Sequence, residues 1–441
     1  MHKVLILGAG LVTRPIVRYL LDQPNIHVTV ASRTVSKADA LIQGHPQGTS
    51  IELNVKDEEK LEKLIAENDI AISLLPYTHH LTVANLCLKH KKHLVTTSYV
   101  SSAMKALDKD AKEKGLLFLN EIGLDPGIDH MSAMKIINEV KEKGGKVVSF
   151  ESICGGLPAP EANDNPFGYK FSWSPRGVVM AGRNNAHFLK NGEEKKIEGK
   201  DLFKNNWKKE VESLGTLEVY PNRDSMLYQE LYGLWDAKTI FRGTFRNLGW
   251  CNTLLKIAGM GWLDDTERSE LKDKTLAEVT ASVINETSPD NLKEKVAKKF
   301  DITIDSDVMK RLEWLGLFSN VKVVADPPTY LDFLANRMLE LMPYKENERD
   351  MIVLQHDFLA EYPNGNKESI VSLLIDFGIP KGDSAMARTV SLPAAIATKL
   401  IVEGKIKLTG VHIPNMPEVY TPVIKELETM NIKFKDTVKK V

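Results

Sequence analysis

At 441 residues the chain exceeds what one small hydrophobic core organises, so two or three domains are expected. Its formal net charge of −1, with 43% hydrophobic and 27% charged residues, is ordinary for a soluble globular protein and excludes a global field for nucleic acid or an anionic membrane. Any anion site must then be built from a few local cations or backbone amides. The three cysteines, Cys87, Cys154 and Cys251, are too widely spaced for a metal motif or a disulfide framework. A strand pattern starts at Lys3, with no charged-then-apolar leader, and no run approaches the ~20 unbroken apolar residues of a membrane span. No signal peptide, no membrane partner and a cytoplasmic location are expected.

Over the first 120 residues short apolar runs alternate with amphipathic stretches. The runs Val4–Leu7, His27–Ala31, Ser50–Val55, Ile70–Leu75, His93–Thr97 and Leu116–Asn120 read as strands. Pro15–Asp22, Val35–Gln43, Glu58–Glu67 and Leu81–Lys89 read as helices. Strands alternating with helices imply right-handed crossovers and a doubly wound parallel sheet, so the fold class is α/β. After Pro126 the rhythm changes. Lys146–Cys154 is expected to be a strand, broken by the Gly155–Pro160 segment. Residues 248–344 are mostly helical in pattern, with a charged stretch at Glu267–Lys274. Met351–Tyr362 and Lys367–Phe377 flank Asn364-Gly365, a hairpin signal that argues for an antiparallel sheet. In the tail, Pro393 is expected in the first turn of a helix over Ala394–Glu403. A strand Ile406–Leu408 and a helix Val423–Met430 follow, and this tail is expected to pack back on the first domain.

Gly8-Ala9-Gly10 follows the first strand and precedes a helix, as a dinucleotide fingerprint requires. Gly8 permits the tight turn, and Gly10 lets a pyrophosphate approach the free amides at the helix start. Thr13 stands where a third glycine is usual. A glycine turn without a ligand is the bland alternative. At the end of strand two, Ala31-Ser32-Arg33-Thr34 carries no carboxylate for a ribose 2′-hydroxyl. The Arg33 guanidinium between two hydroxyls suits a 2′-phosphate, favouring NADP over NAD; otherwise Arg33 is a solvated surface charge. Leu74-Leu75-Pro76-Tyr77 and Thr96-Thr97-Ser98-Tyr99 end strands four and five and should line the cleft, unless Thr96 and Thr97 serve only the turn.

Several long strings resemble the saccharopine reductases. They include Gly8–Pro15, Ala31–Thr34, Thr97–Ser101, Asn120–His130, Cys154–Pro160 with Asn165–Arg176 behind it, Tyr220–Ser225, Arg242–Thr244, Asn347–Met351 and Leu392–Ala397. Ala9 and Ser32 depart from the residues many relatives carry, but the turn contributes mainly backbone. The resemblance implies a Rossmann-type NADP-binding domain formed by both chain ends, residues 1–124 and 391–441. It implies an α+β substrate and dimerisation domain, 125–247 and 345–390, with a largely helical subdomain over 248–344. It also implies NADPH-dependent reduction of the imine formed from 2-aminoadipate 6-semialdehyde and L-glutamate, giving saccharopine, and a homodimer. Cofactor contacts are expected from Gly8, Gly10, Leu11, Val12, Thr13, Ser32, Arg33, Thr34, Asn54, Val55, Leu75, Thr97, Leu124, Pro126 and Ser174.

That chemistry needs an acid to dehydrate a carbinolamine and a base for an amine or water. Asp125 is the first choice, with Tyr99 and Cys154 as further catalytic candidates; each has the simpler reading of holding substrate, and Cys154 that of a buried inert thiol. Three substrate carboxylates call for guanidinium forks. Arg223 is the leading clamp, unless it merely pairs with Asp224. Thr244, Phe245 and Arg246 form a second wall, and Ser98 joins Tyr99 and Asp125 at the substrate. Asp129 and His130 are expected to cap a helix from Met131. No metal is expected. The nearest rival is a polyamine imine reductase of the carboxynorspermidine dehydrogenase kind; a non-catalytic NADP sensor is the rival from another class.

Overall fold

The structure is a computed structural model that describes residues 1–441. Its first stretch alternates β1 (His2–Leu7), α1 (Thr13–Leu21), β2 (Ile26–Ser32), α2 (Val35–Ile42), β3 (Gly48–Glu52), α3 (Glu58–Glu67), β4 (Ile70–Ser73), α4 (His80–His90) and β5 (His93–Thr96). Two short helices follow, α5 (Ser102–Lys105) and α6 (Asp108–Glu113), then β6 (Leu117–Leu119) and the long helix α7 (Ile128–Glu142). Val4 to Leu7 are all fully buried, as a parallel strand covered on both faces requires. The helix α7 begins at Ile128 rather than Met131. Asp129 and His130 thus lie within its first turn, where Asp129 Oδ1 accepts the Gly127 amide at 2.5 Å.

Next come β7 (Lys146–Pro158), α8 (Pro175–Ala181), β8 (Ala186–Lys190), β9 (Glu193–Ile197), β10 (Trp207–Val211), β11 (Gly215–Pro221), α9 (Leu227–Tyr232) and β12 (Thr239–Arg246). Five helices succeed them: α10 (Trp250–Met260), α11 (Leu276–Val283), α12 (Leu292–Lys299), α13 (Asp307–Trp314) and α14 (Tyr330–Leu341). The hairpin β13 (Asp350–Glu361) and β14 (Lys367–Phe377) pairs in register from Met351↔Phe377 to Glu361↔Lys367 around Gly365, whose φ is +82°. The strand expected to stop at Cys154 continues to Pro158. Gly155 belongs in it because a Cβ there would stand 2.7 Å from Phe245 Cβ on the neighbouring strand. The expected break is instead a place of close strand contact.

The tail holds α15 (Ala385–Val402), β15 (Gly410–His412), α16 (Pro417–Thr429) and β16 (Lys435–Lys440). α15 starts nine residues before the expected Ala394, capped by Ser384 Oγ on the Ala387 amide at 3.0 Å, so Pro393 lies inside it. The lost backbone bond is offset by burial of most of the helix, including Leu392, Ala394 and Ile396. By length and composition α15 resembles a membrane span, yet 78% of it is buried within the protein. The strand expected at Ile406–Leu408 falls instead at Gly410–His412, because Gly410 and Val411 pair with Leu117 and Phe118. α16 begins at Pro417, which fills its first turn, rather than at Val423.

By contact density the chain forms two compact units. The first comprises residues 1–146, 362–364 and 382–435. Its parallel sheet has the order β15-β6-β5-β4-β1-β2-β3, reversing direction of growth between β1 and β4. It extends past the expected boundary at residue 124, since α7 packs on α16 of the returning tail. The second unit comprises residues 147–361, 365–381 and 436–441. Its mixed sheet runs β10-β11-β12-β7-β13-β14-β16, with β8 on β12 and β9 on β8. The helices over 248–344 share one hydrophobic core with this sheet, from Phe167, Phe245 and Trp250 to Trp262, Leu312 and Leu334, so no separate boundary forms there.

Candidate active site

In the first unit the chain leaves β1 at Leu7 and turns at Gly8, whose φ is +113°. A Cβ on Gly8 would stand 3.1 Å from the Leu74 carbonyl oxygen, at the sheet's switch point between β1 and β4. A Cβ on Gly10 would meet nothing within 4 Å, so the space over this amide is open. Thr13 is fully buried, and its Oγ1 accepts the Gly10 amide at 2.9 Å; a hydroxyl thus ties down the turn where a glycine would let the helix approach. No side chain caps α1 and no acidic residue occupies its first turn. Leu11 is exposed and Val12 half-buried at this free helix start. Open glycine, uncapped amides and a favourable helix dipole fit a pyrophosphate.

Around that turn stand the other expected cofactor residues. Arg33 and Thr34 are exposed beyond β2, with the Thr34 amide on Ser32 Oγ at 3.3 Å. Asn54 is exposed and Val55 half-buried beyond β3. Leu75 follows β4 and Thr97 follows β5, both half-buried, while Leu124 and Pro126 are buried beyond β6. This arrangement of a basic, carboxylate-free second strand end fits a 2′-phosphorylated ribose.

Beyond β5 the structure joins two expected site residues directly: the Tyr99 hydroxyl donates to Asp125 Oδ1 at 3.2 Å. Asp125 precedes Pro126 and Gly127, where φ is +147° and a Cβ would lie 2.0 Å from the Gly123 carbonyl oxygen. Only glycine permits this turn, which brings the backbone back on itself beside Asp125. Ser98 Oγ lies 2.8 Å from His80 Nε2, and His80 Nδ1 lies 2.8 Å from Ser73 Oγ. Burial pushes the His80 imidazolium down to a pKa of about 4, with His79 adding repulsion, so the ring is neutral near pH 7.

In the second unit Cys154 on β7 pairs with Thr244 on β12, and Thr244 with Tyr220 on β11. Cys154 and Phe245 are buried and Thr244 is half-buried. Arg246 differs from an exposed fork: it is 4% exposed, with its guanidinium 5.1 Å from the Tyr169 ring centroid, 5.8 Å from Tyr220 and 5.2 Å from Trp250. Its Nη1 donates to the Phe245 carbonyl at 2.9 Å. Arg223 is exposed after β11 at a φ of +56°. The neighbouring Asp224 lies 3.4 Å from His187 Nδ1 and accepts the Met226 amide at 2.8 Å. Ser174 caps α8, its Oγ accepting the Gly177 amide at 3.2 Å.

Residues 4–119 match the family model described as the saccharopine dehydrogenase NADP binding domain, and residues 123–432 match the saccharopine dehydrogenase C-terminal domain. The chain belongs to the saccharopine dehydrogenase family. It is 42% identical to the saccharopine dehydrogenase (NADP(+), L-glutamate-forming) of Schizosaccharomyces pombe, over 99% of each chain. The Saccharomyces cerevisiae protein of that name is also 42% identical, over 97% of this chain and 96% of the relative. The mitochondrial alpha-aminoadipic semialdehyde synthase of Bos taurus is 37% identical over 98% of this chain, which spans 47% of that longer protein. Among solved structures, apo histidine-tagged saccharopine dehydrogenase (L-Glu forming) from Saccharomyces cerevisiae superposes with a TM-score of 0.89 at 40% identity, covering 100% of both chains.

Within this saccharopine dehydrogenase fold, the sequence reading missed His80, Glu121 and the partner role of His130. A histidine opening the helix that follows a strand end was a usable signal for His80. Glu121 gave almost none, because a carboxylate after an apolar run reads as the polar end of a strand. No group of His, Cys, Asp and Glu is arranged to hold a metal.

Proposed function

We propose that this chain is a saccharopine reductase, using NADPH to reduce the imine of 2-aminoadipate 6-semialdehyde and L-glutamate to saccharopine, reversibly, within lysine metabolism through aminoadipate. The observation that carries this is the end-to-end match to L-glutamate-forming relatives, joined to a nucleotide unit whose second strand ends in Arg33 without a carboxylate. The residues expected to hold the dinucleotide are the Gly8–Thr13 turn, Ser32–Thr34 and Asn54–Val55, with Leu75, Thr97, Leu124 and Pro126 toward the nicotinamide end. Bound NADPH supplies a hydride equivalent to the imine carbon.

The chain's residues manage everything else. Condensation of the glutamate amine with the aldehyde expels one water, and reduction adds a proton at nitrogen as hydride adds at carbon. Asp125 and the Tyr99 hydroxyl, already hydrogen-bonded, hold and move that proton, while Ser98 orients the substrate. Cys154, buried on β7 in register with Thr244, is the further catalytic candidate. Arg223 clamps a carboxylate, Thr244 and Phe245 form a second wall, and Arg246 backs that wall through the Phe245 carbonyl. We also propose a homodimer, supported by the exposed Leu227, Leu231 and Trp235, and a cytoplasmic location, supported by three buried cysteines without disulfides.

The test is NADPH oxidation with glutamate plus aminoadipate semialdehyde against diaminopropane plus aspartate semialdehyde. Turnover with the first pair is expected, and Arg223→Ala should raise KM for saccharopine far more than it lowers kcat. Preference for the diamine pair would replace this reading with the polyamine one.

A further inference from the structure

The exit of β5 carries Ser98 and Tyr99, and one buried carboxylate holds that segment from two sides. Glu121 is 7% exposed and sits at a φ of +56°, two residues after β6. Its amide donates to the Ser98 carbonyl at 3.1 Å. Its Oε1 accepts the Val100 amide at 2.8 Å. Tyr99 lies between those two anchored residues. The second oxygen, Oε2, lies 2.8 Å from Nε2 of His130, which is 0% exposed in the first turn of α7. The same turn of α7 is tied back through Asp129 to Gly127, two residues after Asp125. Glu121 therefore links the segment carrying Tyr99 to the helix whose entry carries Asp125, and the Tyr99–Asp125 bond is the third side of this closed arrangement.

We infer that Glu121, braced by His130, is a positioning residue that fixes the Tyr99 hydroxyl against Asp125 for proton handling. The inference rests on the reading of Tyr99 and Asp125 as the proton-handling pair. Two features favour positioning over a plain stability role. A buried carboxylate is costly, and an apolar pair would fill the same volume with no desolvation penalty. One carboxylate oxygen and the residue's own amide are spent on the short Ser98–Val100 segment that carries Tyr99, and the other oxygen on His130 of the helix that Asp125 leads into, where a displacement of about 1 Å costs on the order of a hundredfold in rate.

The experiment is a mutant cycle on the full chain with NADPH, glutamate and aminoadipate semialdehyde. Glu121→Ala is expected to lower kcat on the order of tenfold to a hundredfold, with the NADPH Kd nearly unchanged. Glu121→Gln keeps an acceptor for the Val100 amide, so it should recover part of that loss. In a Tyr99→Phe background, Glu121→Ala should cost much less than in the parent, because the hydroxyl it positions is gone. Where Glu121→Ala does not fold, Glu121→Gln and His130→Gln in both backgrounds give the same comparison. Equal fold-losses with and without the Tyr99 hydroxyl would overturn the inference, as would a folded Glu121→Ala protein with parental kcat. If Tyr99→Phe and Asp125→Asn lose nothing, the reading beneath it falls as well; if they lose turnover and the Glu121 variants do not, the inference falls alone.

Discussion

Two glycines in one turn should respond in opposite ways to the same added methyl. At Gly10 an alanine Cβ meets nothing within 4 Å and the backbone needs no left-handed conformation. The folded state thus loses nothing, and the stiffer unfolded chain adds about 0.4–1 kcal/mol of stability. The methyl does, however, enter the open space over the amides at the start of α1. If it displaces one charge-assisted bond to phosphate, about 1.5–3 kcal/mol of binding is lost, which is roughly a tenfold to hundredfold rise in the NADPH Kd. At Gly8 the φ of +113° and a 3.1 Å approach to the Leu74 oxygen make alanine strained before any ligand binds, costing on the order of 1–3 kcal/mol. Urea unfolding without cofactor and fluorescence titration with NADPH separate the two effects. A Gly10→Ala protein that binds NADPH like the parent would refute the placement of the pyrophosphate over this turn.

Three other outcomes are expected. Arg33→Ala should weaken NADPH on the order of tenfold to a hundredfold and leave NADH binding nearly unchanged, read by titration with each cofactor. His80 has a folded pKa lowered from 6.5 to about 4, so the unfolded chain binds the extra proton within that window. Its stability contribution is full above about pH 6.5 and is lost as pH falls toward 4, up to about 3 kcal/mol. Urea midpoints measured at pH 7 and pH 4.5 should converge in His80→Gln relative to the parent. Gly127→Ala should yield little folded protein, because its Cβ would lie 2.0 Å from the Gly123 oxygen and backbone must move; a parental thermal midpoint would count against the tight turn beside Asp125.

Much of the nucleotide unit was legible residue by residue. Glu58–Glu67 is a helix over the expected bounds, and strands β1, β2, β4 and β5 fall within a residue or two of the apolar runs. The hairpin at Asn364-Gly365 is where its turn residues put it. These elements carry local signals: period, turn chemistry and runs of β-branched residues. Proline misled where burial outweighed local preference. Pro393 marked a helix start to the eye, yet α15 runs through it because both sides of the proline are packed in a core. Gly155-Gly156 looked like a break and is strand, since the reason for Gly155 is Phe245 on β12, nearly a hundred residues away in the sequence.

The sequence by itself determined the class of chemistry. The Gly8–Gly10 turn, Arg33 at a strand end without a carboxylate, and the strings shared with saccharopine reductases are local patterns, and such patterns survive being read one residue at a time. Only the tertiary structure decided how the side chains are held. It decided that Arg246 lies inside an aromatic cage and that His80 is neutral between Ser73 and Ser98. It decided that Glu121 spends both oxygens on Val100 and His130. The reason is physical: burial and hydrogen-bond partners are set by segments distant in the chain, and the charge state of a buried group follows from them.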